Sequence, residues 1–238
     1  MCGRFTQQRP TSELAAIFEA EDLATDPGGR FNVAPTTTGA VVVAREDRRA
    51  VVRYRWGLVP SWAADAKGGS KAFNARAETL ATSPLFRDAY RKRRCLVPVD
   101  GFFEWRKEGA ARHPMRIIDP SGMPLALAGL WTGRRNEATG EWDRTFTIVT
   151  TRPNAFMAPI HDRMPVIVPP DAWAAWLDPL PRDPGELRAL LEPREDIDLD
   201  AYEVSTLVNN VRNNGPELLL PAGRPLPDPD PEPGPATG

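Results

Sequence analysis

The sequence is poor in the residues that most often build metal centres: it has two cysteines, Cys2 and Cys95, and two histidines, His113 and His161. Their spacing matches no zinc pattern, so neither a metal nor a cofactor is expected. No GxxxxGK[ST], GxGxxG or GxSxG stretch occurs, which argues against phosphate-loop, dinucleotide and hydrolase-elbow chemistry. No apolar run approaches the roughly 20 residues that a membrane helix needs. The N-terminus, MCGRFTQQRPTSE, lacks the apolar segment of a secretory signal. No membrane partner is expected, and a reducing, cytoplasmic location follows, with both cysteines as free thiols. Lysine is scarce too, since Lys67, Lys71, Lys92 and Lys107 are the only lysines among 30 basic residues. The arginine excess suits bidentate phosphate contacts, although a GC-rich genome produces the same bias.

Charge is not a guide to partners. In the last stretch, PAGRPLPDPDPEPGPATG, Arg224 stands against Asp228, Asp230 and Glu232, which accounts for the whole formal net charge of −2. The body of the chain is neutral, so any basic surface must be local. With seven prolines in its 18 residues, this segment reads as a disordered tail over 221–238. Residues 1–220 read as one continuous domain, expected to be a monomer.

Apolar spacing predicts short helices around Leu14, Ile17 and Phe18, around Phe86, Ala89 and Tyr90, around Trp173, Trp176 and Leu177, and around Leu187, Leu190 and Leu191. Strand-like runs lie between them: GAVVVA, VVRYRWG, CLVPVDGFFEW, MRIID, LALAGLW, TFTIVTT and MPVIV. The turn DPSG predicts a hairpin joining MRIID to LALAGLW. Strands outnumber helices without alternating regularly with them, so an α+β fold with mostly antiparallel pairing is expected. The run Arg91-Lys92-Arg93-Arg94 reads as a solvated helix end beside the negative pole of the helix dipole.

Cys2 is the strongest chemical signal. Once Met1 is removed, its α-amino group and its thiol belong to one residue. An α-amine has a pKa of about 7.7 to 8.0, well below lysine, so a useful fraction is uncharged at neutral pH. A 1,2-aminothiol attacks an aldehyde twice: the amine forms an imine, and the thiol then closes a five-membered thiazolidine. Gly3 allows close backbone approach.

Glu104, in DGFFEW, shares a strand face with Phe102, which predicts a carboxylate in an apolar neighbourhood with its pKa raised toward neutrality. The alternative is an edge-strand carboxylate facing solvent. His161, in PIHDRMP, is an acid/base candidate, with a structural histidine as the plainer reading. In FNARAET, Asn74, Arg76 and Glu78 fall on one face if extended, an arrangement suited to a sugar and its phosphate. If helical, Asn74 is instead an N-cap. In WGLVPSW, alternation puts Trp56 in the core. Trp62, ahead of the Lys67-Gly68-Gly69 turn, is placed to be exposed and to stack on a base.

In sequence order, MCGRF, FNVAPT, WGLVPSW, FNARAET, RCLVPVDGFFEW, Thr150-Thr151, IHDRMPVIV and VSTLVNNVRNNGPELL resemble the SOS-response-associated peptidase (SRAP) family across nearly the whole chain ahead of the tail. The resemblance implies an α+β fold with a barrel-like, mostly antiparallel β core and short peripheral helices. It also implies a protein that senses and shields abasic sites in single-stranded DNA. In that family Met1 is removed, by self-cleavage or by an aminopeptidase, and Cys2 forms a thiazolidine crosslink with the ring-opened sugar; thiol autopeptidase and lyase activities go with it. The implied roles are Cys2 as nucleophile, Asn74 holding the sugar, Glu104 transferring protons, and His161 acting as acid/base in ring opening. Arg4, Arg76 and Arg163 are implied phosphate contacts, Pro35 and Trp62 are implied to pack near the DNA, and Thr150 to line the pocket. This chain departs from some relatives at Ala63, where a second aromatic follows the one matching Trp62. It departs again at Pro84, where an arginine stands, with Arg87 as a nearby substitute.

Two further classes fit MCG at an N-terminus: a glutamine amidotransferase or other N-terminal-nucleophile hydrolase, and a non-covalent single-stranded DNA binding module. A protease acting in trans is a third alternative. Arg4 stands where amidotransferases usually carry an aliphatic residue, and no synthase domain follows.

Overall fold

The computed structural model describes residues 2–46, 48–63, 72–136, 139–180 and 184–223. The Lys67-Gly68-Gly69 turn and most of the proline-rich tail lie outside them. The strands divide between two sheets. One holds β1 (Arg4–Gln7), β3 (Arg30–Val33), β8 (Gly101–Glu108), β9 (Ala111–Ile118) and β13 (Asp200–Glu203), in the order β13-β9-β8-β1-β3. The other holds β2 (Ala20–Asp22), β4 (Thr38–Arg45), β5 (Arg48–Trp56), β7 (Arg94–Val99), β10 (Leu125–Arg135), β11 (Trp142–Thr151) and β12 (Met164–Pro165). A short β6 (Asn74–Arg76) runs parallel to β11.

The second sheet closes on itself. The path β5-β4-β7-β10-β11 returns to β5 through parallel pairing of Thr145 with Arg55 and Phe146 with Trp56. The result is a five-stranded barrel, mostly antiparallel, with few and short helices.

Period-two alternation sorts the barrel residues to two sides. Val41, Val43, Tyr54, Trp56, Cys95, Val97, Leu127, Phe146 and Ile148 face one core, where Phe5, Phe102 and Ile117 of the other sheet join them. Val42, Val51, Leu96, Ala126, Ala128 and Leu130 face the helices α1 (Thr11–Ile17), α2 (Arg87–Lys92), α3 (Trp173–Leu177) and α4 (Pro184–Ala189). None of α1, α2 or α3 has a side-chain N-cap. Helices this short are held by packing rather than by propensity: Phe18 stacks on Trp173 with ring centroids 4.3 Å apart, and Trp176 donates from Nε1 to the Cys95 carbonyl at 2.8 Å.

Gly129 marks the tightest point of the wall. A Cβ there would lie 2.8 Å from Cys95 Sγ and 3.1 Å from the Thr147 carbonyl oxygen. Gly129→Ala should therefore lower stability by about 1–3 kcal/mol, read as a fall in the denaturant midpoint at unchanged slope.

The structure corrects three expectations. CLVPVDGFFEW is not one strand: Arg94–Val99 belongs to the barrel and Gly101–Glu108 to the other sheet. The joint is Asp100, whose carboxylate accepts from the Gln8 amide at 2.5 Å and binds the Arg9 guanidinium. Nor do MRIID and LALAGLW form a hairpin. The turn itself exists, with the Gly122 amide donating to the Asp119 carbonyl, but β9 pairs with β8 and β13 while β10 pairs with β7 and β11. Finally, Arg94 is not solvated. It is 2% exposed and donates to the carbonyls of Tyr90 (2.7 Å), Arg91 (2.8 Å), Trp176 (2.6 Å) and Asp178. One guanidinium thus satisfies the C-terminal carbonyls of α2 and α3.

Among the described residues no helix is long and apolar enough to cross a membrane, and no cluster of three His, Cys, Asp or Glu side chains is placed to hold a metal ion.

Candidate active site

Antiparallel pairing brings the N-terminus to Glu104. Phe5 pairs with Phe102 and Arg4 with Phe103, and continuing this register sets Gly3 and Cys2 alongside Glu104. Cys2 is fully buried, packed in the same core as Phe5 and Phe102. Its thiol makes only a long contact, 4.0 Å, with the Arg4 carbonyl. Burial pushes the thiol pKa up, and the Glu104 carboxylate pushes it further. The resting sulfur is therefore a thiol, with a base close enough to act on its charge.

Glu104 is 1% exposed. It shares the face of Phe102, as alternation predicts, and desolvation raises its pKa to about 7. At neutral pH such a group is divided between acid and base forms, which suits it to give and take protons in one cycle.

His161 comes from the segment after β11. That segment is shaped by buried Asn154, whose Oδ1 accepts from the Met157 amide at 2.9 Å and whose Nδ2 donates to the Arg194 carbonyl at 3.0 Å. His161 Nε2 lies 3.8 Å from Glu104 Oε2. The other ring nitrogen faces two neighbours with opposite demands. Nδ1 accepts from the Arg163 backbone N–H at 3.0 Å, which needs a lone pair, while the Asp162 carboxylate at 2.9 Å favours a proton. Burial, the largest influence, draws the imidazole pKa down.

Asn74 arrives through a third route. Parallel pairing with β11 sets Asn74 opposite Ile148, so FNARAET begins as strand and the N-cap alternative falls away. Its Nδ2 donates to the Cys2 carbonyl at 2.8 Å. Its Oδ1 is buried and makes no hydrogen bond with any described residue. The amide thus fixes Cys2 with one end and holds an acceptor ready with the other.

The family model described as SOS response associated peptidase (SRAP) matches residues 1–211. The chain belongs to the SRAP family. It is 40% identical over 224 residues to the abasic site processing protein YoqW of Bacillus subtilis, covering 92% of this chain and 99% of the relative. It is 33% identical over 233 residues to the abasic site processing protein YedK of Escherichia coli, covering 93% and 100%. A crystal structure of a Bacteroides thetaiotaomicron protein superposes with a TM-score of 0.84 at 26% identity, covering 93% of this chain and 100% of that one.

Around the SRAP centre, the expected phosphate-contacting arginines differ in how they are held. Arg76 is exposed at the end of β6, and its side chain makes no hydrogen bond or ion pair with any described residue. Arg163 is engaged: it grips the Glu78 carboxylate through both terminal nitrogens and donates to the Thr150 carbonyl at 2.6 Å. Thr150 itself is fully buried on β11. Arg4 is turned away from solvent, donating to Asn32 Oδ1 (2.8 Å) and to the Val208 carbonyl (2.7 Å). In the structure it ties β1 to the VSTLVNNV segment. Trp62 is 72% exposed, as its loop position predicts, and Pro35 is half-buried before Thr36. Trp56 is fully buried. Asn154, which shapes the segment carrying His161, was not legible from the sequence; an asparagine opening a turn, NAFM, was the only signal.

Proposed function

We propose that this SRAP protein captures abasic sites in single-stranded DNA as a thiazolidine crosslink on Cys2, after removal of Met1. The observation that carries the reading is the convergence of Cys2, Glu104, His161 and Asn74, remote in sequence, on one point, with Cys2 and Glu104 buried and Asn74 and His161 half-buried around them. An abasic sugar exists mainly as a closed hemiacetal. His161 shuttles the proton from the C1′ hydroxyl to the ring oxygen, which opens the ring to the aldehyde. The Cys2 α-amine adds to C1′, and Glu104 protonates the resulting hydroxyl so that it leaves as water, giving an iminium that keeps one proton on nitrogen beside the Glu104 carboxylate. The thiol then adds to the iminium carbon, its proton passing to the Glu104 carboxylate, which restores the acid. Aminothiol and aldehyde together give thiazolidine and one water. Asn74 holds the Cys2 backbone still, and its free Oδ1 accepts from the amine or from a sugar hydroxyl.

Trp62 offers an exposed ring on which a base can stack; Arg76 is open to a phosphate, and Arg163 meets one by giving up its Glu78 partner. The support for DNA as partner is the naming of the relatives as abasic site processing proteins.

The decisive experiment is a denaturing gel of protein mixed with a labelled single strand carrying one abasic site, beside the undamaged strand. A heat-resistant shifted band with abasic DNA alone is the expected result. No such band, or an equal band with undamaged DNA, removes the covalent reading. Non-covalent binding should weaken with salt, with a log–log slope of about −0.7 per phosphate contact and so about −1.4 for the two arginines. A flat titration contradicts phosphate contact.

A further inference from the structure

The barrel has a second opening, at the end where β11 begins. A cavity of about 470 Å³ lies there between β4, β5, β10 and β11, walled by Tyr54, Trp131, Arg45, Arg53 and Arg144, with Leu23 beside them. Alternation explains the lining. Val41 and Val43 on β4, and Phe146 and Ile148 on β11, face the barrel core. The next positions on that face, toward this end, are Arg45 and Arg144.

The charge at this opening is only partly compensated among the described residues. Arg53 is engaged by Asp26 at 2.9 Å and by Thr38 Oγ1 at 2.7 Å, whereas Arg45 and Arg144 have no ion-pair partner among the described residues. Among the described residues no carboxylate lines the cavity. Tyr54 is 7% exposed, and its hydroxyl makes no hydrogen bond with any described residue. The charges of Arg144 and Arg45 both act on that phenol, whose pKa burial raises to about 12. Tyr54 and Trp131 touch at a ring-centroid distance of 5.5 Å, giving the wall aromatic surface. Trp142 is 58% exposed, two residues outward from Arg144 on the same strand face.

This opening is separate from the Cys2 centre. From Arg144 to Ile148, the partner of Asn74, β11 climbs about 13 Å at ~3.3 Å per residue. Buried Trp56 and Phe146 lie between.

We infer that this opening is a nucleotide-binding site, taking a phosphate between Arg45 and Arg144 and a base against the Trp131 side of the wall. The Tyr54 hydroxyl then bonds a sugar or phosphate oxygen. The dimensions agree, since pockets of about 300–1,000 Å³ hold ligands of this size and barrel mouths commonly provide them. Two converging guanidiniums match a phosphate better than a single carboxylate. The nucleotide is either free or one unit of a bound strand, and the two sources separate experimentally.

The test is calorimetric titration of the full chain with deoxyadenosine monophosphate, deoxyadenosine and inorganic phosphate, repeated on the double variant Arg45→Gln/Arg144→Gln and on Tyr54→Phe. The monophosphate should bind more tightly than either fragment, and the double variant should weaken it by about tenfold or more. Tyr54→Phe should weaken it less. Both arginines are exposed, so the double variant should keep the wild-type melting temperature and its crosslinking rate on a short abasic strand. An undamaged strand of about twenty nucleotides distinguishes the sources: lost affinity in the double variant assigns the site to the strand, and unchanged affinity assigns it to free nucleotide. No saturable binding of the monophosphate, or equal binding by wild type and double variant, overturns the inference.

Discussion

Cys2→Ala removes the heat-stable adduct with abasic DNA while leaving a weaker, reversible one. Produced with Met1 removed by an aminopeptidase, the variant retains an α-amine at the same backbone position, still held by Asn74 through the residue-2 carbonyl, so imine formation with the aldehyde continues. What it lacks is the second bond to C1′, and without ring closure the imine hydrolyses on heating. The signal surviving denaturation should fall to the background seen with undamaged DNA, because the bond-forming nucleophile is gone. Borohydride added before denaturation should restore a band, because it reduces the imine. The alanine leaves a small gap in a fully buried position, costing about 1–2 kcal/mol, so melting should be followed in parallel. An undiminished heat-stable band in a folded Cys2→Ala protein would sink the thiazolidine chemistry.

Glu104→Gln should slow crosslinking by about 10²- to 10⁴-fold, the range for a lost general acid/base, with little change in DNA affinity. The wild-type rate should show an inflection near pH 7, where Glu104 titrates, and the variant should lose it. Stability should move the other way. The folded-state pKa is raised from an ordinary value near 4.5 to about 7, so folding favours the protonated form. Its stabilising contribution is complete below about pH 4.5, declines as pH rises through 7, and is gone above it. Across that window the wild type loses about 3 kcal/mol relative to its acid-side value. Glutamine carries no charge to desolvate, so the variant should unfold at higher denaturant than wild type at pH 8 and at nearly the same denaturant at pH 4.5. A variant no more stable at pH 8, with an unaltered rate, counts against both the burial argument and the proton-transfer role. The carboxylate is then a case of stability given up for chemistry.

Glu104 is also where the sequence was most legible. Its neighbour Phe102 sits two positions away on the same strand face, and that shared face was enough to put the carboxylate in apolar surroundings. Trp56 was read from strand alternation and the helix around Leu14 and Phe18 from helical spacing, because in each one side faces the core and the other does not. CLVPVDGFFEW failed for the complementary reason. Residues 94 to 99 and 101 to 104 are buried on both faces, so no alternation survives to mark a break at Asp100. Arg94 misled because composition predicts solvation for a basic run, whereas burial depends on which carbonyls the helix ends leave unsatisfied. The site's assembly was not legible from local pattern. Asn74 meets Cys2 through a strand pairing with residues 148 to 150, and His161 meets Glu104 across separate segments; only the ordered set of motifs pointed to that meeting.

The parallel closure of the barrel also orders events in time. Cys2 leaves the ribosome first, but the β11 residues that pair with β5 and position Asn74 are made more than a hundred residues later, and His161 later still. Pairings of such long sequence separation form slowly, after local elements. During synthesis the N-terminal cysteine is therefore an ordinary peptide end, without the acid, base or amide that direct it. The groups that surround Cys2 in the structure are thus brought together only once the barrel has closed.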